Sequence, residues 1–497
     1  MNIVRLLLKQ ADQRPDKAAL VFKDQEVSFK QLRDRVLALS GVLNNLGLSQ
    51  GDKIALYLPN NLECVYSLLA GFSLGVVVVP MDFMLTEEEI INFLNHSQAK
   101  LLIISPKPGM DISYIREKCS CVKDLIVLDQ FENILGNRIY DIGDISIDED
   151  DLAAIFYTSG STGHPKGVML NYRNLDNPVK SIDYFLKIDY SDIFLCGGVP
   201  FSHLGGLVYL LLMLNFSTTV ILMERFKPQE FLQNIEKHKV TIFCIVPAMY
   251  IAILSLKNQK EFDLSSLKYA VVFGAPSSPE LLKKFNMLCP KAALSNGWGM
   301  TETSAPNSLS DPKSGKIESI GKFSPFSEVQ IVDSQGVALK FNQTGELLIR
   351  GEAVMKGYYN EPELTEQVLD KQGWFRTGDM ACCDEQGYFY IVGRKKDMIK
   401  VAGEIVFPAE IEEKLMNYPG IKEAAVVGIF DKLRGEVPKA FLVTEEGCDL
   451  DLTNLKEFLR KNIAHFKMPH YIELVKELPK NRLGKIDKVQ LKKLISN

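Results

Sequence analysis

The chain has no CxxC pair. Its nine cysteines stand at 64, 119, 121, 196, 244, 289, 382, 383 and 448, an odd and scattered set that suits reduced thiols and excludes a disulfide framework. Cys382 and Cys383 are adjacent, and Cys119 and Cys121 are split by one residue; neither spacing suits tetrahedral zinc. Six histidines, widely separated, offer no metal cluster. Positive charge is not in excess: a net charge of −5 gives no electrostatic case for binding nucleic acid. No transmembrane segment is expected. Residues 204–223 approach the required length, but Gly205, Gly206, Asn215, Ser217, Thr218 and Thr219 break them into a helix, a turn and a short strand. The opening MNIVRLLLKQADQRPDK suits an amphipathic surface helix without a cleavage site, and the closing KKLISN carries no lipidation or peroxisomal address. A cytoplasmic location is the expectation. Also missing is the common nucleotide loop, GxxxxGK[ST], which excludes inference to a P-loop fold.

What is present is ordinary in bulk and specific in detail. A composition 46% hydrophobic and 24% charged is that of a globular protein, and 497 residues call for at least two domains. Strand-like apolar runs at 53–57, 75–79, 100–104, 125–128, 220–223, 241–246 and 269–273 alternate with amphipathic segments such as 28–46 and 87–96. That alternation predicts layered α/β sheets, largely parallel. From about 315 to 391 short strands with Gly-rich turns (EVQIVDSQG, GELLIRG, GYFYIVG) predict a small β-barrel or β-meander closing the large domain. After the charged break at 393–397 comes a smaller α+β unit of about a hundred residues. The expected division is 1–393 and 394–497.

The chemistry concentrates in a few strings. Residues 157–168 read YTSGSTGHPKGV. After an apolar strand at 152–156 come the hydroxyls of Thr158, Ser159, Ser161 and Thr162, interleaved with Gly160 and Gly163, and then Lys166. Hydroxyls donate to phosphate oxygens, glycines let backbone N–H groups approach them, and the ammonium adds charge. Alone, such a string is also a solvated hydroxyl-rich turn. A second string, Asn296-Gly297-Trp298-Gly299-Met300-Thr301-Glu302, places glycines, a flat aromatic face and a carboxylate after a strand at 292–294. A third, WFRTGD, ends on Asp379, whose carboxylate can accept from two neighbouring hydroxyls. Gly274-Ala275-Pro276 with two serines is in itself a strand-to-helix turn with N-cap serines.

In this order, over nearly the whole chain, these strings resemble the adenylate-forming enzymes: acyl-CoA and aryl-CoA synthetases, peptide-synthetase adenylation domains and firefly-type luciferases. The resemblance implies a large adenylation domain with a smaller mobile C-terminal lid, and ATP, Mg²⁺ and CoA as cofactors. It implies that residues 158–163 with Lys166 hold the polyphosphate, and that Gly274, Ala275 and Pro276 cup the adenine. The aromatic Trp298, with Asn296, Gly297, Gly299 and Met300, lies beside the nucleotide where the family usually has Tyr. Thr301 contacts the α-phosphate region, Glu302 holds Mg²⁺, and Asp379 with Arg394 receives the ribose. It further assigns Lys485, in LPKNRLGKIDK, to bridging carboxylate and α-phosphate, Lys396 to the hinge, and Gly403 to the thiol channel. Basic residues near the domain junction, Arg434 and Lys467, are implied contacts of CoA. His203, Gly205, Val246 and Tyr250 are the implied pocket for the acid.

The implied reaction is ATP-dependent activation of a hydrophobic carboxylic acid, a fatty acid by the likeness of 345–412, followed by thioester formation with CoA. The alternatives are an aryl-CoA ligase, a ligase loading an acyl carrier protein, a luciferase-like oxygenase, and a nucleotide-binding protein without catalysis. Amino-acid activation is disfavoured, because FSHLGG holds no acidic residue for a substrate ammonium.

Overall fold

The computed structural model describes residues 2–135, 145–158, 166–274, 279–402, 404–445, 447–480 and 486–495. Short β-branched runs become two mostly parallel sheets, because each is buried on both faces and needs helices over it. The first sheet runs Gly357–Tyr358, Lys166–Asn171, Leu152–Thr158, Val77–Pro80, Lys53–Tyr57, Leu101–Ile104, Asp124–Val127. The second has nine strands; its parallel centre is Ala293–Trp298, Tyr269–Val272, Ile242–Ile245, Ile193–Cys196, Thr219–Leu222 and Ala18–Phe22. Helices Leu62–Ser73 and Leu204–Phe216 are buried on almost every face and share one core with strands of both sheets. This accounts for the all-apolar stretch at 204–214: it is an interior helix. It ends at Ser217, in the left-handed conformation, before the strand Thr219–Leu222. Among the described residues, no helix is long and apolar enough to cross a membrane.

Helix starts follow local chemistry. Ser28 and Gln31 cap Phe29–Asn45 reciprocally, and Thr86 with Glu89 does the same for Glu87–Ser97. The segment of short strands forms an antiparallel meander, Glu328–Val332, Gly345–Arg350, Phe375–Cys383, Phe389–Arg394, paired in chain order.

After Arg394 the chain leaves that sheet. The next strand, Ile399–Val401, pairs with Glu404–Val406 and reaches Gly435–Thr444, which lies between Ile421–Asp431 and Tyr471–Leu474. Ile399, Val406, Ile411, Leu415, Val426, Leu442, Leu455 and Leu459 belong to a core of their own. The protein is thus a layered α/β domain with a separate α+β C-terminal domain.

Candidate active site

In the second sheet the chain moves from Ile193–Cys196 to one neighbour, Thr219–Leu222, and then crosses to the other, Ile242–Ile245. Such a reversal opens a crevice beyond the carboxyl ends of the strands, where ligands of open α/β sheets bind. The segments leaving those ends carry His203, Gly205 and Val246. His203 is half-buried at the N-cap of Leu204–Phe216, Gly205 is exposed on its first turn, and Val246 is half-buried at the N-cap of Pro247–Leu254. Gly206 holds the turn tight: a Cβ there would stand 2.4 Å from the Pro200 carbonyl oxygen. Tyr250 departs from the expected pocket role. It is fully buried, with its ring 4.5 Å from that of Phe285 and 6.0 Å from that of Phe243. Three residues past Pro247, helical periodicity turns it into the core.

Gly274 follows the strand Tyr269–Val272 with φ +88°, a conformation few other residues adopt. Ala275 and Pro276 lie outside the described residues, as do Ser159, Gly160, Ser161, Thr162, Gly163, Gly403 and Lys485. The phosphate-loop string is nevertheless anchored at both ends, since Leu152–Thr158 and Lys166–Asn171 are antiparallel neighbours and Thr158 faces Lys166 in register.

Lys166 places its ammonium 5.2 Å from the centre of the Tyr358 ring. The Tyr358 hydroxyl donates to Glu302 Oε1 at 3.0 Å. Glu302 lies on the short turn Thr301–Thr303, held where its carbonyl accepts from the Met355 N–H at 2.9 Å. Burial raises the Glu302 carboxyl above its ordinary range, opposed by hydrogen bonds from the backbone and Tyr358 and by the charges of Arg394 and Lys166. Burial, and then the Glu302 charge, raise the Tyr358 phenol, so it stays a neutral donor. The arrangement is a buried carboxyl with two cations in its field.

The Asn296–Met300 string differs in shape from expectation. The strand does not stop at 294; it continues through Trp298, and the turn begins at Met300. Gly297 sits inside the strand because a Cβ there would fall 2.2 Å from the Phe273 ring. Asn296 pairs beside Val272, and its N–H donates to the Ser310 hydroxyl at 2.8 Å. Trp298 contributes more than a flat face: its indole N–H donates to Asp379 Oδ2 at 2.8 Å. The other oxygen, Oδ1, is 2.6 Å from Arg394 Nε, and Asp379 and Arg394 face each other across adjacent strands. The Thr377 hydroxyl accepts from the Asp379 N–H at 3.0 Å.

Lys395 pairs with Glu346 at 2.8 Å, tying the start of the 395–397 turn to the meander, while Lys396 is exposed. Arg434 is exposed on the turn after Ile421–Asp431, and its carbonyl accepts from the Ala402 N–H at 2.8 Å. Lys467 does not fit the expected anion-binding role: both Glu410 oxygens lie 2.7 Å from its ammonium, neutralising it. Reading the sequence alone missed Tyr358 and Thr377. The partner of Tyr358 is 56 residues away along the chain, where no local spacing signals it; Thr377 stands two residues before Asp379, and its second bond, to the Leu347 carbonyl, is 30 residues distant.

Residues 7–359 match the family model described as AMP-binding enzyme, and residues 410–485 match the AMP-binding enzyme C-terminal domain. The chain is 34% identical to 4-coumarate–CoA ligase 1 of Solanum tuberosum over 474 residues, which is 92% of this chain and 86% of that protein. It is 32% identical to the long-chain-fatty-acid–CoA ligase of Bacillus subtilis (strain 168), covering 97% of this chain and 92% of that one. Among solved structures, an anthranilate CoA ligase in complex with anthranoyl-AMP has a TM-score of 0.93 at 26% identity, over 99% of this chain and 97% of that one. The chain belongs to the AMP-binding enzyme family, as an AMP-forming CoA ligase that activates acyl or aryl acids through an adenylate.

Proposed function

We propose that the substrate is an apolar carboxylic acid, with a fatty acid the first to test and an aryl acid the alternative. The thiol acceptor in this reading is free CoA and not a carrier protein. The adenylation step of this reading is supported by two groups of side chains, Lys166, Tyr358 and Glu302, and Trp298, Asp379 and Arg394, which would receive the nucleotide. Gly205, Val246 and the half-buried Pro247-Ala248-Met249 add an apolar wall and no fixed charge.

In the first step a carboxylate oxygen attacks the α-phosphorus of ATP, the α–β bridging bond breaks, and pyrophosphate leaves. Residues 158–163 and Lys166 would hold that leaving group, and Lys485 would stand between the two anions as they meet. In the second, the sulfur of CoA attacks the acyl carbon, the bond to AMP breaks, and the thiol proton passes to solvent. Glu302 suits Mg²⁺ shared with the nucleotide, since one buried carboxylate with a single hydroxyl donor can offer an oxygen to a hard cation. Bound there, Mg²⁺ would offset repulsion between phosphates and the incoming carboxylate. Among the described residues no group of three or more His, Cys, Asp or Glu could hold a metal alone, which fits an ion brought with ATP. The cysteines are free thiols, in keeping with a cytoplasmic location.

The test is carboxylate-dependent pyrophosphate release across a panel of alkyl and aryl acids, with and without CoA. Release with no acid, or adenylate that transfers only to a carrier protein, would sink the assignment.

We place the domain boundary just past the expected 393/394, after Arg394, which still pairs with Asp379 in the meander, and the pivot at Lys396. Lys396→Pro is expected to leave pyrophosphate release near wild type while thioester formation falls, because a fixed φ hinders rotation about the pivot. Unchanged thioester turnover would move the pivot elsewhere.

A further inference from the structure

Tyr209 occupies a place where a sheet hydrogen bond is missing. The strands Ile193–Cys196 and Ile242–Ile245 are in register at Phe194 with Ile242 and at Leu195 with Phe243, and no further. At the next residue, Cys244, the Tyr209 hydroxyl takes over. It donates to the Cys244 carbonyl at 2.9 Å and accepts from the Cys244 N–H at 3.0 Å. Two part-buried backbone groups are thereby satisfied by one side chain, where leaving them unpaired would cost stability. The ring stands edge-on to Phe194 at 6.0 Å and is almost fully buried. Burial raises its phenol far above the ordinary value, so it keeps the proton that lets it donate and accept at once. The two strands that part here are the pair at which the chain reverses direction, so Tyr209 stands where the crevice between them begins.

The helix that carries it supplies the dimension. Gly205 and Tyr209 are four residues apart on Leu204–Phe216, hence on one face and separated by about 6 Å along the axis. Gly205 is exposed, and a Cβ there would meet nothing nearer than Val199 Cγ1 at 3.6 Å. The face is therefore open at its first turn and closed by an aromatic ring at the next.

We propose that Tyr209 is the floor of the acid pocket and sets its depth, so that the enzyme takes aryl or short-to-medium acyl groups and rejects long chains. This rests on the reading of the protein as a ligase of apolar carboxylic acids. A long chain could continue only by displacing the hydroxyl and unpairing Cys244, a cost that a short acid does not meet.

The experiment measures kcat/KM for pyrophosphate release with hexanoate, decanoate, hexadecanoate and cinnamate, using the full chain and Tyr209→Ala. Wild type is expected to favour hexanoate or cinnamate over hexadecanoate by at least about tenfold, and Tyr209→Ala to shift that ratio towards hexadecanoate by at least about tenfold, the scale of a few methylenes in an apolar pocket. Tyr209→Phe, which keeps the ring but loses its anchor on Cys244, should shift the ratio less than Tyr209→Ala does, while its thermal midpoint falls. Should the alanine variant not fold, Tyr209→Leu carries the same expected shift. Wild type using hexadecanoate as well as hexanoate, or a folded truncation with an unchanged ratio, overturns the proposal. No release with any acid overturns the ligase reading itself, a result distinct from a flat length profile.

Discussion

Lys485→Ala is expected to slow acyl-adenylate formation by about 10²–10³-fold, the usual loss on removing one positioned stabiliser of developing charge. Thioester formation from supplied acyl-adenylate should change far less. The asymmetry has an electrostatic cause. In the first half-reaction a carboxylate must approach a phosphate that already repels it, and a cation between them acts most where the two anions crowd, in the transition state. In the second, a thiol attacks an acyl carbon that carries no charge, and little repulsion remains to be offset. The segment that carries Lys485 is closed at its base: Lys480 and Ile486 pair as an antiparallel bridge, and the Asp487 N–H donates to the Pro479 carbonyl at 2.8 Å. Lys480 is held at 2.6 Å from Glu423 of the neighbouring strand. Truncating a side chain above such a base should leave the melting temperature near that of wild type. Pyrophosphate exchange measures the first step and thioester release from synthetic adenylate the second. Equal slowing of both would reduce Lys485 to a general binding or folding residue.

Much of this architecture was legible because its strands are short apolar runs bounded by polar turns. The run at 53–57 is the strand Lys53–Tyr57 itself, and those at 100–104 and 241–246 lie within two residues of the observed strands. The interior helix Leu204–Phe216 was separable from a membrane span by the small and polar residues that follow it. Legibility fails where packing, not pattern, decides. Gly297 reads as a turn residue, yet it stays in a strand because the Phe273 ring takes the space of its side chain. Tyr250 reads as a pocket residue, but its phase on Pro247–Leu254 directs it between Phe243 and Phe285. Lys467 reads as a free cation until the fold brings Glu410, 57 residues distant, against it. Tyr358 and Tyr209 were invisible for the same reason, since each acts on a group far along the chain: Glu302 and Cys244.

Asp379→Asn is expected to raise the KM for ATP by roughly 30–150-fold, equivalent to about 2–3 kcal/mol. Asp379 is buried, and each of its oxygens already has a donor, Arg394 Nε on Oδ1 and the Trp298 indole on Oδ2. An amide in that place can accept from only one of the two and turns its own N–H₂ towards the other. Breaking a fully buried pair costs about 3–5 kcal/mol. Arg394 is 44% exposed, so solvent recovers part of its charge and the lower range applies. A ribose reading its hydroxyls from this carboxylate would lose one of its two acceptor oxygens and the fixed orientation that Arg394 and Trp298 impose. Trp298→Phe separates the two contributions. It keeps an aromatic ring where this proposal sets the nucleotide and removes the N–H, a hydrogen bond to a charged group worth about 1.5–3 kcal/mol, so KM for ATP should rise by roughly 10-fold or more. In both variants KM for the acid and for CoA should stay near wild type, because the pair Asp379–Arg394 lies at the meander and not at the crevice between Ile193–Cys196 and Ile242–Ile245. Titration calorimetry with AMP tests the same point without turnover. An Asp379→Asn variant that binds AMP as wild type does would remove this carboxylate from the nucleotide site and leave it a structural link between strand and tryptophan.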